Sequence, residues 1–243
     1  VSEYAEGIGN AGHDCTVITP RQRDATYGDS YRVLAFSGIS LPRLRQYRAG
    51  LPLLSSSYRR AVAGISFDIV HAHDPFMAGR EAARIARKRD IPLVATFHSK
   101  YYDDIAQVTH SEAIAGGVTK QIVDFYSNCD QVWAVSHSTA EVLRSYGYMG
   151  EIEIVENGMD LREADPSERR MVDEHYDLHG ERVLLFVGQM NWKKNIRRIL
   201  EAMRVLLNRG VEARLIMAGQ GPSEKEIRRF VTANGLDGHV TFT

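Results

Sequence analysis

The chain has only two cysteines, Cys15 and Cys129, in 243 residues, and they form no Cys-x-x-Cys or mixed Cys/His pattern. A disulfide scaffold and a structural zinc site are therefore not indicated, and a reducing, cytoplasmic setting is the default expectation. Long apolar runs are missing too: no uncharged stretch exceeds ten residues, where a membrane-spanning helix needs roughly 20. No signal peptide is visible, and no Asp-x-Asp pair is present to hold a metal; Asp103 and Asp104 are adjacent. A net charge of −1, from 30 Lys and Arg against 31 Asp and Glu, argues against a surface shaped as a whole for nucleic acid. That balance hides an asymmetry. Between Ser30 and Phe67 there is no Asp, Glu or Lys, but there are six arginines (Arg32, Arg43, Arg45, Arg48, Arg59 and Arg60), so this stretch carries +6. The 44% hydrophobic and 25% charged residues are those of an ordinary folded protein.

Short apolar or β-branched runs alternate with stretches of helical period. Strands are expected at 15–19, 31–36, 68–72, 93–97, 131–135, 152–155, 182–187, 213–218 and 240–242. Helices are expected at 53–63, 76–89, 111–128, 138–146, 167–176, 195–209 and 223–234. Runs such as VLLFV and LIMA are apolar at every position, which predicts parallel strands buried on both faces. The alternation predicts an α/β architecture with doubly wound sheets. A polar stretch between Asn157 and Gly180 divides the chain into an expected Rossmann-like domain at 1–177 and the start of a second at 178–243. Val1 to Ala11 reads as the end of a helix closed by Gly12, and His239 to Thr243 as a strand that stops, so the sequence reads as cut at both ends.

Ligands of doubly wound sheets lie beyond the carboxyl ends of the strands, and here those positions are polar. They hold His73-Asp74-Pro75, His98-Ser99-Lys100, Glu156-Asn157-Gly158, the segment from Gly188 through Gln189 to Lys194 and Asn195, and Gly219-Gln220-Gly221-Pro222. A glycine at a strand end, a lysine and a following helix N-terminus suit a phosphate or diphosphate. On spacing alone, a solvated lysine and an ordinary turn are equally compatible with those residues. His71 and His73 lie two apart on a strand and face the same way. They read either as hydrogen-bonded histidines or, with His98, as ligands of a metal-dependent hydrolase.

Taken together, the segments resemble the family 4 (group 1) glycosyltransferases, retaining enzymes of the GT-B fold with two Rossmann-like domains. AGHDCTVITP, DIVHAHDPFMAG, VATFHS, VSHSTAEVLRSYG and IVENGMD resemble successive pieces of the family's first domain. FVGQMNWKKNIRRILEAM resembles its G-R-L-x-x-x-K-G nucleotide-sugar motif, and LIMAGQGP its G-x-G-P turn. The resemblance implies an α/β, GT-B-like chain whose second domain is incomplete. It also implies transfer of a hexose from a UDP- or GDP-hexose donor to an acceptor hydroxyl with retained configuration, without a permanently bound cofactor or metal. Carried over by position, Lys194 would hold the donor diphosphate, Gly188 would permit its close approach, and His98 would sit beside the transferred sugar as the catalytic histidine. Gln189, Gly219 and Gly221 would shape the nucleotide pocket, His73 would bind substrate, and Asn157 and Gly158 would line the cleft between domains.

Gln189 stands where the family has arginine, and the paired glutamates spaced by seven residues are not found in this sequence. An inactive sugar-nucleotide-binding homologue therefore remains an alternative. The basic stretch implies a further partner. Leu53, Leu54 and Ala61 on one side of a short helix, with Arg43, Arg45, Arg48, Arg59 and Arg60 nearby, fit docking on an anionic membrane surface from the cytoplasmic side. That fits the lipid-glycosylating and phosphatidylinositol-glycosylating branches of the family, and a lipid acceptor.

Overall fold

In a computed structural model of the chain, residues 2–21, 30–41, 44–158 and 163–243 are described. They fall into two compact units, Val1–Leu161 and Arg162–Thr243.

The first unit opens with α1 (Ser2–Asn10), closed as predicted by Gly12 at φ +89°. Next come β1 (Thr16–Pro20) and β2 (Arg32–Phe36), paired in parallel. An antiparallel hairpin, β3 (Gly38–Leu41) and β4 (Leu44–Gly50), follows. It holds part of the arginine-rich stretch and lies outside the expected strands, because GISL and LRQYRAG show no regular alternation of apolar and polar residues. After a 3₁₀ turn at Pro52–Leu54, α2 (Ser56–Ala63) packs Tyr58 and Val62 inward. The main sheet has the order β5-β6-β7-β8, from β5 (Val70–Ala72), β6 (Leu93–Phe97), β7 (Gln131–Ala134) and β8 (Glu153–Ile154), all parallel. Between them run α3 (Met77–Arg89), α4 (Tyr101–Thr109), α5 (Glu112–Ser127) and α6 (His137–Ser145). Helix α4 lies outside the expected helices; α3, α5 and α6 match expectation to within one residue at each end, and α2 begins three residues later than expected. Ser111 and Ser136 start α5 and α6 by accepting from the backbone N–H groups of Ile114 and Thr139.

The second unit contains α7 (Pro166–His175), β9 (Arg182–Val187), α8 (Ile196–Asn208), β10 (Ala213–Ala218), α9 (Glu224–Ala233) and β11 (Val240–Phe242). Its sheet is parallel, in the order β11-β10-β9. Helix α7, assigned from sequence to the first domain, lies within this unit, where its terminal Tyr176 carbonyl accepts from the Arg214 guanidinium. Leu184, Phe186, Leu215 and Met217 pack with Ile196, Leu200, Met203, Ile227 and Val231 of α8 and α9 in one core. The expectation of a strand buried on both faces holds for β10 and fails for β9. Val183, Leu185 and Val187 are 44%, 65% and 72% exposed. Among the described strands β9 lies at one edge of this sheet, and its inward residues already meet the helical layer.

In the first unit the alternation of side chains across a pleated strand separates core from site. The register Val70↔Leu93 and Ala72↔Ala95, continued by Ala95↔Val132 and Phe97↔Ala134, puts these residues on one face. There they build a core with Ile122, Phe125, Tyr126 and Leu143. A second cluster joins Phe36, Tyr58, Val62 and Ile85. Within it Glu81, only 3% exposed, accepts from the Tyr58 hydroxyl at 2.9 Å and pairs with Arg84 through two bonds of 2.7 Å. Glu81 thereby ties α2 to α3.

Candidate functional site

The register that builds the core sends His71, Thr96 and Trp133 to the opposite face, with His73 and His98 continuing that face past the ends of β5 and β6. There they form one constellation. His71 Nε2 lies 2.7 Å from Thr96 Oγ1, and His73 Nδ1 lies 3.1 Å from His98 Nε2. The His71 and His73 rings stack with centroids 4.3 Å apart, and those of His73 and His98 lie edge to edge with centroids 5.4 Å apart. Tyr4 of α1 meets both His71 and His73 edge-on, and Trp133 meets His71 edge-on at 4.9 Å. Among the described residues the buried Trp133 indole N–H has no hydrogen-bond acceptor.

Burial disfavours the charged imidazolium. It pushes His71 down to about 4 and His73 to about 3, with repulsion from neighbouring histidines adding to it, and it lowers His98 as well. All three rings are accordingly neutral at physiological pH. They are occupied with one another and with Thr96, and among the described residues no group of three His, Cys, Asp or Glu is arranged to hold a metal. The metal-hydrolase alternative thus finds no coordinating geometry here.

The turn after β5 is shaped by Asp74, whose carboxylate accepts from the Phe76 backbone N–H at 2.7 Å. Burial raises its pKa. A methyl group on Gly79 would lie 1.8 Å from the Asp74 carbonyl, so α3 can approach this turn only with glycine there. Beside the cluster, an apolar slot of about 490 Å³ runs between β1 and β5, with α1 and α3 contributing walls. Asn157 and Gly158 are exposed beyond the end of β8.

In the second unit, two loops after neighbouring strands are pressed backbone to backbone. A Cβ on Gly219 would sit 2.2 Å from the Gly188 carbonyl oxygen, and one on Gly221 between 2.5 and 2.7 Å from Met190 backbone atoms. Hydrogen bonds lace the loops together: Gly188 N–H to the Ala218 carbonyl at 3.0 Å, Met190 N–H to Gln220 at 3.1 Å, and Ser223 N–H to Met190 at 2.9 Å. Gly188, Gln189, Gly219 and Gly221 are thus brought together. Lys194 was expected at a helix mouth. It ends a 3₁₀ turn, Trp192–Lys194, opened by Asn191, whose side chain accepts from the Lys193 N–H at 3.1 Å. Asn195, at φ +58°, then starts α8 without a side-chain cap. The Lys194 side chain is exposed, and with the uncapped start of α8 it provides positive potential for an anion.

The sequence reading missed Tyr4, Thr96 and Trp133. Thr96 was legible as the position two before His98 on the same strand; Tyr4 and Trp133 depend on tertiary packing.

Parallel α/β units with polar residues beyond their strand ends are the architecture of Rossmann-like domains. The Glycosyltransferase Family 4 model matches residues 1–163, and the Glycosyl transferases group 1 model residues 170–243. The chain belongs to glycosyltransferase family 4. Among curated relatives, it is 22% identical over 239 residues to alpha-monoglucosyldiacylglycerol synthase of Streptococcus pneumoniae, covering 96% of this chain and 54% of that protein. It is 23% identical over 255 residues to the enzyme of the same name from Acholeplasma laidlawii, covering 99% of this chain and 63% of that one. The chain thus spans somewhat more than half the length of these relatives. Among solved structures, Anabaena HepE in complex with UDP-glucose superposes with a TM-score of 0.65 at 16% identity, covering 94% of this chain and 68% of that one. Sucrose-phosphate synthase from Thermosynechococcus elongatus superposes with a TM-score of 0.69 at 15% identity, covering 98% and 62%. These likenesses support the expected α/β fold.

Proposed function

We propose that the protein containing this chain transfers a hexose from a nucleotide diphosphate sugar to an acceptor hydroxyl, with retention of configuration. The observation that carries the reading is the interlocked pair of glycine loops in the second unit, with Lys194 exposed beside them. Gly219 and Gly221 let the two loops close backbone to backbone after their strands, and Lys194 with the uncapped start of α8 carries the positive charge proposed to meet the diphosphate. The transition state resembles an oxocarbenium ion departing from a diphosphate, so the main chemical demand is stabilisation of negative charge on the leaving group. Gln189 is neutral, which leaves that task to Lys194 and the neighbouring backbone N–H groups. His98, neutral and at the open end of β6, is assigned to the transferred sugar. His73, Asn157 and Gly158 are assigned to the substrate-facing surface of the first unit. UDP-glucose is the first donor to test, in view of the HepE complex.

A lipid acceptor is the second part of the proposal, supported by the names of the two synthases and by a basic surface on the first unit. Leu53 and Leu54 are 61% and 76% exposed on the turn before α2, and Arg59 and Arg60 are exposed on that helix. Arg45 and Arg48 lie on β4, and Arg43 falls outside the described residues. The expected amphipathic pattern is altered in one respect: the apolar face of α2 turns Tyr58 and Val62 to the core, and the protruding leucines belong to the turn before it. Among the described residues no helix is long and apolar enough to cross a membrane, so the proposed contact is peripheral, at the cytoplasmic face. Leucines among arginines suit insertion at an anionic headgroup layer.

The test is nucleotide release by the full-length protein over a panel of UDP- and GDP-hexoses with lipid and soluble acceptors. Lys194→Ala and His98→Ala should each lower kcat/KM at least about tenfold, roughly 1.4 kcal/mol of transition-state stabilisation. Absence of turnover with every donor, or unchanged rates in both variants, would overturn the assignment.

A further inference from the structure

We propose that His73 is a positioning residue: its Nδ1–H donates to His98 Nε2 and so holds His98 in the Nδ1–H tautomer, ready to donate to an oxygen of the sugar donor. This deepens the functional reading above and rests on it.

The geometry comes from five contacts involving His73 and His71. His73 Nδ1 and His98 Nε2 are 3.1 Å apart, a hydrogen-bond distance for ring nitrogens. The two rings are inclined by only 27°, so they sit side by side at the ends of adjacent strands. His73 is held from behind by the His71 ring, stacked at 4.3 Å, and His71 is itself anchored to Thr96 Oγ1 at 2.7 Å. Tyr4 closes the edge of both rings, with centroids 5.9 and 5.8 Å away.

The chemistry follows from counting protons. A hydrogen bond between two imidazoles needs one N–H and one lone pair, so it forms when both rings are neutral or one is charged and is lost when both are charged. Desolvation keeps the rings neutral. The neighbouring Asp74 carboxylate is engaged with the Phe76 backbone N–H at the start of α3. Tyr4 from α1, His71 from β5, and Thr96 and Trp133 from β6 and β7 complete the surroundings. With Nε2 of His98 engaged by His73, Nδ1, for which the described residues show no partner, is the ring nitrogen proposed to meet substrate. A nucleotide sugar presents phosphate oxygens, which only accept, and hydroxyls, which accept as well as donate, so the form of His98 that can serve all of these oxygens carries its proton on Nδ1. That requires Nε2 to accept, and therefore His73 to donate. The role is tautomer selection by a neighbouring hydrogen bond.

Two measurements on the full-length protein decide the matter. Nitrogen-15 NMR of histidine-labelled protein, with His98 assigned by its loss in His98→Asn, should show His98 protonated at Nδ1 in the wild type. His73→Phe preserves a ring against His71 but removes the donor; it should convert His98 to a tautomer mixture and lower kcat about tenfold, with donor KM changed less than about threefold. His73→Asn, whose side-chain amide supplies a donor near the position of Nδ1, should recover the single tautomer and bring kcat to within about threefold of wild type. A wild-type His98 protonated at Nε2 overturns the proposal, and needs no variant to fold. An unchanged tautomer and kcat in His73→Phe overturns it equally. If no donor is turned over at all, the functional reading has failed, while the tautomer measurement still decides the role of His73.

Discussion

Replacing Gly219 with alanine tests the interlocked loops of the second unit most directly. The new methyl would lie 2.2 Å from the Gly188 carbonyl oxygen, where an ordinary carbon–oxygen contact is roughly 3.3 Å. The two loops would have to part by about 1 Å. Each is fixed at the end of a strand and tied to the other by backbone hydrogen bonds, so the movement cannot be absorbed by a side chain. Gly219 also has φ +132°, in the half of the backbone map that alanine avoids at a cost of about 1–3 kcal/mol. Crowding of a packed interior adds about 1–3 kcal/mol. A loss near 3 kcal/mol is expected by urea denaturation of the full-length protein, with affinity for UDP or GDP reduced at least about tenfold by calorimetry. Gly235, at φ +67° with open space around its Cβ, is the control: alanine there suffers backbone strain alone and should leave nucleotide affinity unchanged. If Gly219→Ala lost less than about 1 kcal/mol and bound nucleotide as the wild type does, the backbone contact would not govern the site.

The buried Glu81 carboxylate should be sensitive to truncation: Glu81→Ala strands the buried Tyr58 hydroxyl, while Arg84, 39% exposed, stays hydrated, and a loss of about 1–3 kcal/mol is expected in chemical denaturation, with no change in soluble-donor KM for the folded fraction. Acid should destabilise the first unit through its histidines. Folded-state values near 4 for His71 and near 3 for His73 lie below their ordinary value of 6.5, so the unfolded chain binds more protons, and the stability they confer is complete above about pH 6.5 and is lost as pH falls towards 4 and below. A His71→Gln variant followed by denaturation between pH 4 and 7 should show a shallower slope than wild type; an identical slope would refute the assignment. Arg59→Glu with Arg60→Glu, or Leu54→Glu, should reduce sedimentation with vesicles containing phosphatidylglycerol at least about fivefold, by loss of roughly 1 kcal/mol per basic side chain near the surface. Activity on a water-soluble acceptor should persist.

Most strands were legible in the sequence because runs such as VLLFV, LIMA and LVATF are continuous and closely bounded by turn residues. The β3–β4 hairpin was not, since its pairing joins Gly38 to Gly50 and Ile39 to Ala49 across residues with no common period. The exposed face of β9 was also beyond reach: hydrophobicity reports what a strand can bury, and position in the sheet decides what it does bury. At the site, the strand-end rule located His73, His98, Gly188 and Gly219. It could not show that His73 and His98 bond to each other, because that depends on the stagger between β5 and β6. Nor could it distinguish an ordinary Gly-x-Gly turn from one whose glycines face another backbone.

The strict division between the two faces of β5 and β6 has a practical consequence for engineering. Ala72, Ala95 and Phe97 belong to the packed core, whereas His71, Thr96 and His98, interleaved with them, belong to the candidate site on the other face. Variants of the core and variants of the proposed site can therefore be drawn from alternate positions of the same two strands, provided that no insertion or deletion shifts the pairing. A slip by one residue would exchange the two sets and leave a protein with histidines in its interior and alanines at its reactive surface.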